Sequence, residues 1–230
     1  MSSIIKSLKL VLAPPHPAAR PFLAAGFGAV LAGWLLRRAS GWSGFRLLSR
    51  AGLLFVGFCL YFFRDPERVP PPGEGLVVAP ADGHVVSISF VPPPAELAIG
   101  DEPRWRVGIF LSVLDVHVNR MPVAATVTRI AYHEGRYLNA SLDKASDENE
   151  RNAIGLRLAD GRTMAVVQIA GLIARRILCS VREGDRLATG ERFGIIRFGS
   201  RTDLYLPPDV APLVSTGQTM IGGETVVAHL

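Results

Sequence analysis

The sequence predicts a mainly β (α+β) fold, in which a barrel- or sandwich-like β domain with few short helices follows an apolar, helical N-terminal hairpin. Short runs of β-branched or alternating apolar residues recur from residue 76 to residue 206, with Gly, Pro and Asp between them. No stretch of this region keeps a 3.6-residue apolar period beyond about two turns. With 230 residues, 49% of them hydrophobic, the chain can hold one substantial domain and an accessory segment.

Two apolar stretches at the N-terminus, residues 21–36 and 51–63, contain no charged residue. Sixteen helical residues reach about 24 Å, whereas the hydrocarbon core of a bilayer is about 30 Å thick. Each stretch could therefore span a membrane only with local thinning and arginine snorkelling, and a shallow hairpin is the competing arrangement.

The positive charge of the chain is concentrated in this segment. Residues 1–64 carry eight of the 25 basic residues and no acidic one, so the remaining 17 basic residues face 20 acidic ones. The net charge of +5 thus indicates an anionic membrane surface and not nucleic acid. Arginines at positions 37, 38, 46 and 50 favour a hairpin embedded from the cytoplasmic face of the cell membrane. Two buried helices of a soluble core are the alternative.

A Pro-rich linker at residues 65–73 cannot be helical and separates residues 1–64, the membrane segment, from residues 65–230, the predicted catalytic domain. Asp160-Gly161 predicts a two-residue hairpin turn, and residues 138–152 predict a polar loop. The predicted strands are 76–79, 84–91, 105–111, 123–130, 154–158, 163–170, 177–182, 193–198 and 202–206.

The pair Gly199-Ser200 lies between two of these strands, where such a pair is usually a turn. Its alternative use is chemical. Because glycine permits strained backbone geometry, a following serine hydroxyl can attack the glycine carbonyl and convert the amide into an ester. Elimination of that ester leaves dehydroalanine, which hydrolyses to an N-terminal pyruvoyl group and ammonia. A pyruvoyl ketone forms a Schiff base with a substrate amine and accepts the electrons released by decarboxylation.

Three further stretches favour a chemical role for Gly199-Ser200 over a simple turn. They are Tyr-Phe-Phe-Arg-Asp-Pro at residues 61–66, Ala-Pro-Ala-Asp-Gly-His at 79–84, and Phe-Leu-Ser-Val-Leu-Asp-Val-His-Val-Asn-Arg-Met-Pro at 110–122. Together with Phe-Gly-Ser-Arg at 198–201, they resemble the phosphatidylserine decarboxylases, in the right order and over nearly the whole chain. The likeness is to the short bacterial form.

The resemblance implies a pyruvoyl cofactor generated from Ser200 and phosphatidylserine in the membrane as substrate. Cleavage would leave a β chain of residues 1–199, ending at Gly199, and an α chain of residues 200–230, held as a noncovalent heterodimer, with higher oligomers left open. Asp82 falls on the family's aspartate implicated in self-cleavage. His117 falls on the first histidine of its Asp-x-His motif and could donate the proton that replaces the lost carboxylate. We expect no metal site.

One position departs from the longer form of the family. By the resemblance, the motif of the longer form has a second histidine at the position that Arg120 occupies here. A guanidinium cannot act as a general base near neutral pH. Self-cleavage would then use His117, or Asp82 with backbone strain, while Arg120 could contact a substrate carboxylate or phosphate. The cluster at residues 149–152 resembles a family stretch, but its charges alone predict a solvated loop, and it receives no role.

Two alternatives remain at this point. The run at residues 181–194 looks like the loop of biotinyl and lipoyl carriers, which with Lys144 would make the protein a membrane-tethered carrier or scaffold. A pyruvoyl decarboxylase of a soluble amino acid is the other, although a soluble substrate gives no reason for an apolar, basic N-terminus.

Overall fold

A computed structural model describes residues 13–135, 149–171, 176–197 and 199–230. The chain divides into two compact units, Met1–Glu67 and Arg68–Leu230. Each unit is described by itself below.

The first unit is a helical hairpin. Helix α1 spans Arg20–Ser40 and helix α2 spans Phe45–Phe62. The two helices approach closely through small residues, since a Cβ on Gly26 would lie 2.6 Å from the Val56 side chain and one on Gly52 would lie 2.9 Å from the carbonyl oxygen of Gly26. The Ser49 hydroxyl donates across the pair to the carbonyl of Val30 at 3.1 Å. Small residues and interhelical hydrogen bonds are typical of helix pairs in membranes.

Large apolar side chains cover the outside of this hairpin. Both helices are long and apolar enough to cross a membrane. A soluble core would bury such side chains, so their exposure disfavours the soluble-core alternative. The exposed residues are Phe27, Leu31, Trp34, Leu35, Leu36, Trp42, Leu47, Leu48, Leu53, Leu54, Phe55, Phe58, Leu60 and Tyr61.

The second unit is built from antiparallel strands, which confirms the mainly β prediction. Its central sheet has eight strands in the order β12-β2-β3-β11-β7-β6-β5-β9, beside a three-stranded sheet β4-β10-β8 and the pair β1-β13. The strands are β1 (Leu76–Val78), β2 (Gly83–Val91), β3 (Arg104–Leu111), β4 (Val118–Arg120), β5 (Ala125–His133), β6 (Arg151–Arg157), β7 (Thr163–Ala170), β8 (Arg176–Cys179), β9 (Arg186–Leu187), β10 (Arg192–Arg197), β11 (Ser200–Tyr205), β12 (Thr219–Met220) and β13 (Val226–His229).

The main core fills one face of the eight-stranded sheet. Ile154, Val166 and Leu204 lie side by side there, because they are paired in register across β6, β7 and β11. The opposite face carries a smaller apolar cluster that includes Val167, Tyr205 and Leu97, the last from a 3-10 turn at Ala95–Leu97. Strand β11 is covered on both faces, and all six of its residues are buried.

Each of the nine predicted strands overlaps an observed one. Four short strands, β4, β9, β12 and β13, were not predicted, since two to four residues give only a weak alternating pattern. The predicted two-residue turn is longer: the Leu158 amide donates to the Arg162 carbonyl, so three residues separate the paired positions, and Gly161 has φ +90°. Most of the predicted polar loop lies outside the described residues.

Candidate active site

The Gly199-Ser200 bond lies where the chain passes from the three-stranded sheet into the eight-stranded one. Strand β10 ends at Arg197, and Ser200 is the first residue of β11. Ser200 is paired with Leu111 on one side and with Ala170 on the other, each the last residue of its strand. The bond is therefore held between two sheets, next to the strand ends of β3 and β7.

Gly199 has a left-handed backbone with φ +67°. A Cβ there would meet none of the described residues within 4 Å, so it is the backbone conformation, and not a lack of space, that favours glycine. Any other L-residue would be disfavoured by about 1–2 kcal/mol in this region. The bend lies directly before β11, which begins at Ser200.

The Ser200 side chain is fully buried, and among the described residues its Oγ atom has no hydrogen-bond partner. A buried hydroxyl without a partner is disfavoured by about 1–3 kcal/mol. Such a group needs an explanation, and the predicted role of Ser200 as a nucleophile would supply one.

His117, the residue before β4, contacts the backbone of Gly199. Its Nδ1 lies 2.9 Å from the carbonyl oxygen of Asp115, which fixes the ring proton on Nδ1. The other nitrogen, Nε2, then accepts the backbone N–H of Gly199 at 3.2 Å. The ring is fully buried. The structure thus brings two of the three predicted residues, His117 and Ser200, to Gly199: the histidine contacts its backbone N–H, and the serine follows it directly in the chain.

Asp115 anchors the turn that carries His117. Its carboxylate accepts from the amide and the hydroxyl of Ser112, at 2.8 and 2.7 Å. The carboxylate therefore stabilises the backbone of this turn, and it is the Asp115 carbonyl that orients the histidine.

Asp82 lies at the same end of the sheet but has other partners. It precedes β2, and His84, Phe110 and Arg201 are aligned across β2, β3 and β11. Asp82 thus lies about two strand spacings, roughly 10 Å, from Ser200. Its carboxylate accepts from the amide of Gly222 at 2.8 Å and from the guanidinium of Arg68 at 2.9 Å.

We expect Asp82→Asn and Arg68→Met each to lower the free energy of unfolding by about 1–2 kcal/mol, because each breaks a largely buried, charge-assisted bond. The double variant should lose little more than either single one, since both lesions remove the same interaction. Urea titrations of the four proteins measure this. Fully additive losses would show that the pair does not couple.

Arg120 is buried within the second unit, in contact with backbone. Its guanidinium donates to the carbonyl of Gly190 at 3.0 Å, and its side chain packs against Gly223. Only 3% of the residue is exposed. This position favours a structural role over the predicted contact with a substrate anion.

A row of buried polar side chains begins two residues after Ser200 in β11, on the same face of the sheet. Thr202, Gln168 and Asn152 are aligned across β11, β7 and β6. Asn152 donates to Gln168, and Gln168 donates to Asn119 of β4 at 2.8 Å. Asn119 in turn lies 3.4 Å from the Thr202 hydroxyl. The row ties β4, and with it His117, to the strand that begins with Ser200.

The cluster at residues 149–152 is not the solvated loop that its charges predicted. Asn149, Glu150 and Asn152 are all at least 97% buried, and β6 begins at Arg151. The Asn149 amide donates to the carbonyl of Ala170 at 2.8 Å. The Glu150 carboxylate accepts from the Tyr132 hydroxyl at 2.9 Å. Burial of hydrogen-bonded polar groups, which composition does not reveal, makes this prediction wrong.

Two arginines stand opposite each other just before the bend. Arg197 is paired with Arg176 across β10 and β8. Burial, and in addition the positive charge of Arg176, lowers the pKa of Arg197 from its ordinary value. Like charges in directly opposed positions are destabilising, so the pair favours a nearby anion.

The sequence did not indicate that Gly171 lies at the candidate site. Its backbone N–H donates to the carbonyl oxygen of Gly199 at 3.0 Å. Nor did the sequence indicate a role for Asn149. The only sequence signal for the second was its likeness to a family stretch, and an ordinary glycine after an apolar strand gives no signal at all.

Known proteins resemble this chain over most of its length. A family model described as phosphatidylserine decarboxylase matches residues 55–228. Relatives include the phosphatidylserine decarboxylase proenzymes of Gluconacetobacter diazotrophicus, 69% identical over 99% of this chain and 100% of the relative, and of Gluconobacter oxydans, 65% identical with the same coverage. That of Saccharopolyspora erythraea is 51% identical over 94% of this chain and 89% of its own. The chain belongs to the phosphatidylserine decarboxylase family.

Proposed function

We propose that the chain is a precursor that cuts itself between Gly199 and Ser200 and then decarboxylates phosphatidylserine to phosphatidylethanolamine and carbon dioxide. The observation that carries the proposal is the buried Oγ of Ser200, which follows a left-handed glycine and has no hydrogen-bond partner among the described residues. Family membership gives the reaction class.

Self-cleavage uses only groups of this chain and one water molecule. Ser200 Oγ gives its proton to a base and bonds to the carbonyl carbon of Gly199, the C–N bond breaks, and the nitrogen takes up a proton. Loss of the Ser200 Cα proton then breaks the Cβ–Oγ bond, and Gly199 leaves as a carboxylate. Addition of water to the remaining dehydroalanine, with loss of ammonia, yields the pyruvoyl group. We assign the base to His117, whose Nε2 lies 3.2 Å from the backbone nitrogen of Gly199.

The residues around Ser200 suit the group that it would become. A pyruvoyl ketone supplies the electron sink for decarboxylation of a substrate that carries an amine. The buried setting of Ser200 excludes bulk water, and His117 is held so that one ring nitrogen can move a proton there. No further cofactor is required by this chemistry.

The two pieces remain together after cleavage by strand pairing. Three strands of residues 200–230 pair with strands of the larger piece: β11 lies between β3 and β7, β12 pairs with β2, and β13 pairs with β1. The bonds of Asp82 and Arg68 to the Gly222–Glu224 turn also join the pieces. We therefore expect a noncovalent αβ heterodimer.

An anionic lipid fits the charges near the site. The Arg176–Arg197 pair places two guanidinium groups at the strand ends next to Gly199. Phosphatidylserine carries a phosphodiester and a carboxylate, either of which suits a guanidinium.

The experiment that tests the function combines mass spectrometry of the purified protein with activity assays. We expect two chains, the smaller beginning at residue 200 with a blocked N-terminus, and release of carbon dioxide from phosphatidylserine but not from free serine. A single uncut chain would contradict self-cleavage. Equal activity on free serine would favour the soluble amino-acid alternative.

The helical hairpin is proposed to hold the enzyme on the cytoplasmic face of the cell membrane. Its support is the exposed apolar surface of α1 and α2 and the four arginines at positions 37, 38, 46 and 50. We expect a variant lacking residues 1–63 to remain in solution when the full chain floats with vesicles of anionic phospholipid, because it lacks the apolar surface.

A matched control keeps the hairpin and removes charge. With Arg37, Arg38, Arg46 and Arg50 all changed to Gln, binding to neutral vesicles should persist while the preference for anionic ones falls, since each arginine contributes about 1 kcal/mol near an anionic surface. Flotation of the truncated protein equal to that of the full chain would contradict an anchoring role. Protease digestion of sealed inner-membrane vesicles of known orientation tests the face.

The carrier alternative loses its support. The run at residues 181–194 forms β9 and the start of β10 within the decarboxylase body, and Lys144 lies outside the described residues. Family membership disfavours a carrier as well.

A further inference from the structure

We infer that the backbone N–H of Gly171 stabilises the oxyanion formed during self-cleavage and that the side chain of Asn149 positions this N–H. The inference rests on the proposed cleavage between Gly199 and Ser200. It assigns roles to two residues outside the Asp82, His117 and Ser200 set.

The first step of cleavage places negative charge on one identifiable atom. When Ser200 Oγ bonds to the Gly199 carbonyl carbon, the C=O double bond opens and its electron pair moves to the carbonyl oxygen. The Gly171 N–H already donates to that oxygen at 3.0 Å. A donor that is in place before charge develops strengthens its bond as the charge forms and needs no reorganisation.

Asn149 contacts the peptide group between Ala170 and Gly171 from its carbonyl side. Its side-chain amide donates at 2.8 Å to the carbonyl of Ala170, the carbonyl that shares a planar peptide unit with the Gly171 N–H. Fixing the carbonyl therefore fixes the direction of the N–H. Donation to the carbonyl also polarises the peptide unit, which makes its N–H a better donor.

The surroundings of Asn149 keep it in this position. The residue is 1% exposed. The next carbonyl along, that of Glu150, accepts from the Ala170 amide at 2.9 Å, so Ala170 is bound through both its backbone groups. The Glu150 carboxylate is itself held by the Tyr132 hydroxyl. Ala170 is also the register partner of Ser200. These contacts therefore hold the Gly171 N–H next to the Gly199–Ser200 bond.

Three variants of the full-length chain test the inference, with newly synthesised precursor followed over time by denaturing gel. We expect Asn149→Ala to slow cleavage about tenfold, the effect of one net hydrogen bond. Gly171→Pro, which lacks the N–H, should slow it at least about a hundredfold. Gly171→Ala retains the N–H and should therefore cleave faster than Gly171→Pro.

Arg104 provides a matched control. Its guanidinium donates at 3.0 Å to the carbonyl of Thr163, the first residue of β7, as Asn149 does to the last. Arg104→Met, at the start of β3, removes a buried donor to β7 at the end of that strand away from Ser200. It should lower thermal stability and leave the cleavage rate within about twofold of wild type.

Hydroxylamine separates a defect in oxyanion stabilisation from a general loss of structure. The reagent cuts an ester at Gly199 but not the original amide. Since the oxyanion precedes the ester, hydroxylamine should not restore chain scission in Asn149→Ala or Gly171→Pro. Rapid scission on its addition would mean that ester accumulates and that these residues act later, which would overturn the inference.

Wild-type cleavage rates in both a folded Gly171→Pro protein and Asn149→Ala would also overturn it. If Gly171→Pro does not fold, the inference is tested by comparing the cleavage rate of Asn149→Ala with that of the Arg104→Met control. Failure of the proposed self-cleavage would give a different result from failure of this inference, because the wild-type chain itself would then stay uncut.

Discussion

Replacing Ser200 with alanine should leave one chain of 24.8 kDa that does not decarboxylate phosphatidylserine. Alanine lacks the Oγ that attacks the Gly199 carbonyl, so neither the ester nor the pyruvoyl group can form. Folding should be preserved, because Oγ has no hydrogen-bond partner among the described residues and its loss leaves no donor or acceptor unsatisfied. We expect the thermal midpoint of the uncut variant to equal or slightly exceed that of uncut wild type.

Ser215→Ala is the matched control for this variant. Ser215 belongs to the same C-terminal piece and is exposed, so its replacement should leave both cleavage and decarboxylation intact. Denaturing gels, intact mass and a carbon dioxide assay measure the outcome. A Ser200→Ala protein that still separates into two chains, or that retains activity, would refute the proposed mechanism.

Replacing His117 with alanine should slow self-cleavage by about 10²–10⁴, the usual contribution of a positioned general base. The Asp115 carbonyl leaves Nε2 free of its proton, and that nitrogen lies 3.2 Å from the backbone nitrogen of Gly199, one residue from the hydroxyl that must lose a proton. Cleavage should proceed slowly rather than stop, since the left-handed Gly199 and the buried hydroxyl remain.

Chemical rescue distinguishes a missing base from a damaged fold. His117→Ala leaves a ring-sized space, so added imidazole should restore part of the cleavage rate, whereas a merely destabilised protein would not respond. His84, which is exposed on β2 at the same end of the sheet, provides the control: His84→Ala should cleave normally. Wild-type cleavage by His117→Ala would remove the histidine from the mechanism.

Most of the strands that the sequence predicted lie in runs of β-branched or alternating apolar residues. Strand β7 was predicted at its observed bounds, because both of its faces are buried and its apolar run ends at clear turns. The short strands β9 and β12 have two residues each, and only their neighbours in space make them strands. The eight-stranded order could not be predicted, since it depends on pairings between residues far apart in the chain.

The candidate site divides in the same way. Ser200, Gly199 and His117 were predicted through motifs, because their chemistry needs particular residue types at fixed local spacing. Gly171 acts through a backbone N–H that every residue except proline has, so its side-chain identity carries no information. Asn149 looked like part of a solvated loop, and only its burial against Ala170 gives it a role.

The Gly-Ser bond, the mainly β fold and the apolar, basic N-terminal segment follow from the sequence by itself, because each depends on local chemistry or on periodic patterns. The tertiary structure alone decided which groups surround that bond. It placed His117 on the Gly199 amide, and it placed Gly171 on the Gly199 carbonyl. It placed Asp82 with Arg68 and Gly222. These contacts join residues up to 140 positions apart, and packing between sheets, which no local pattern records, brings them together.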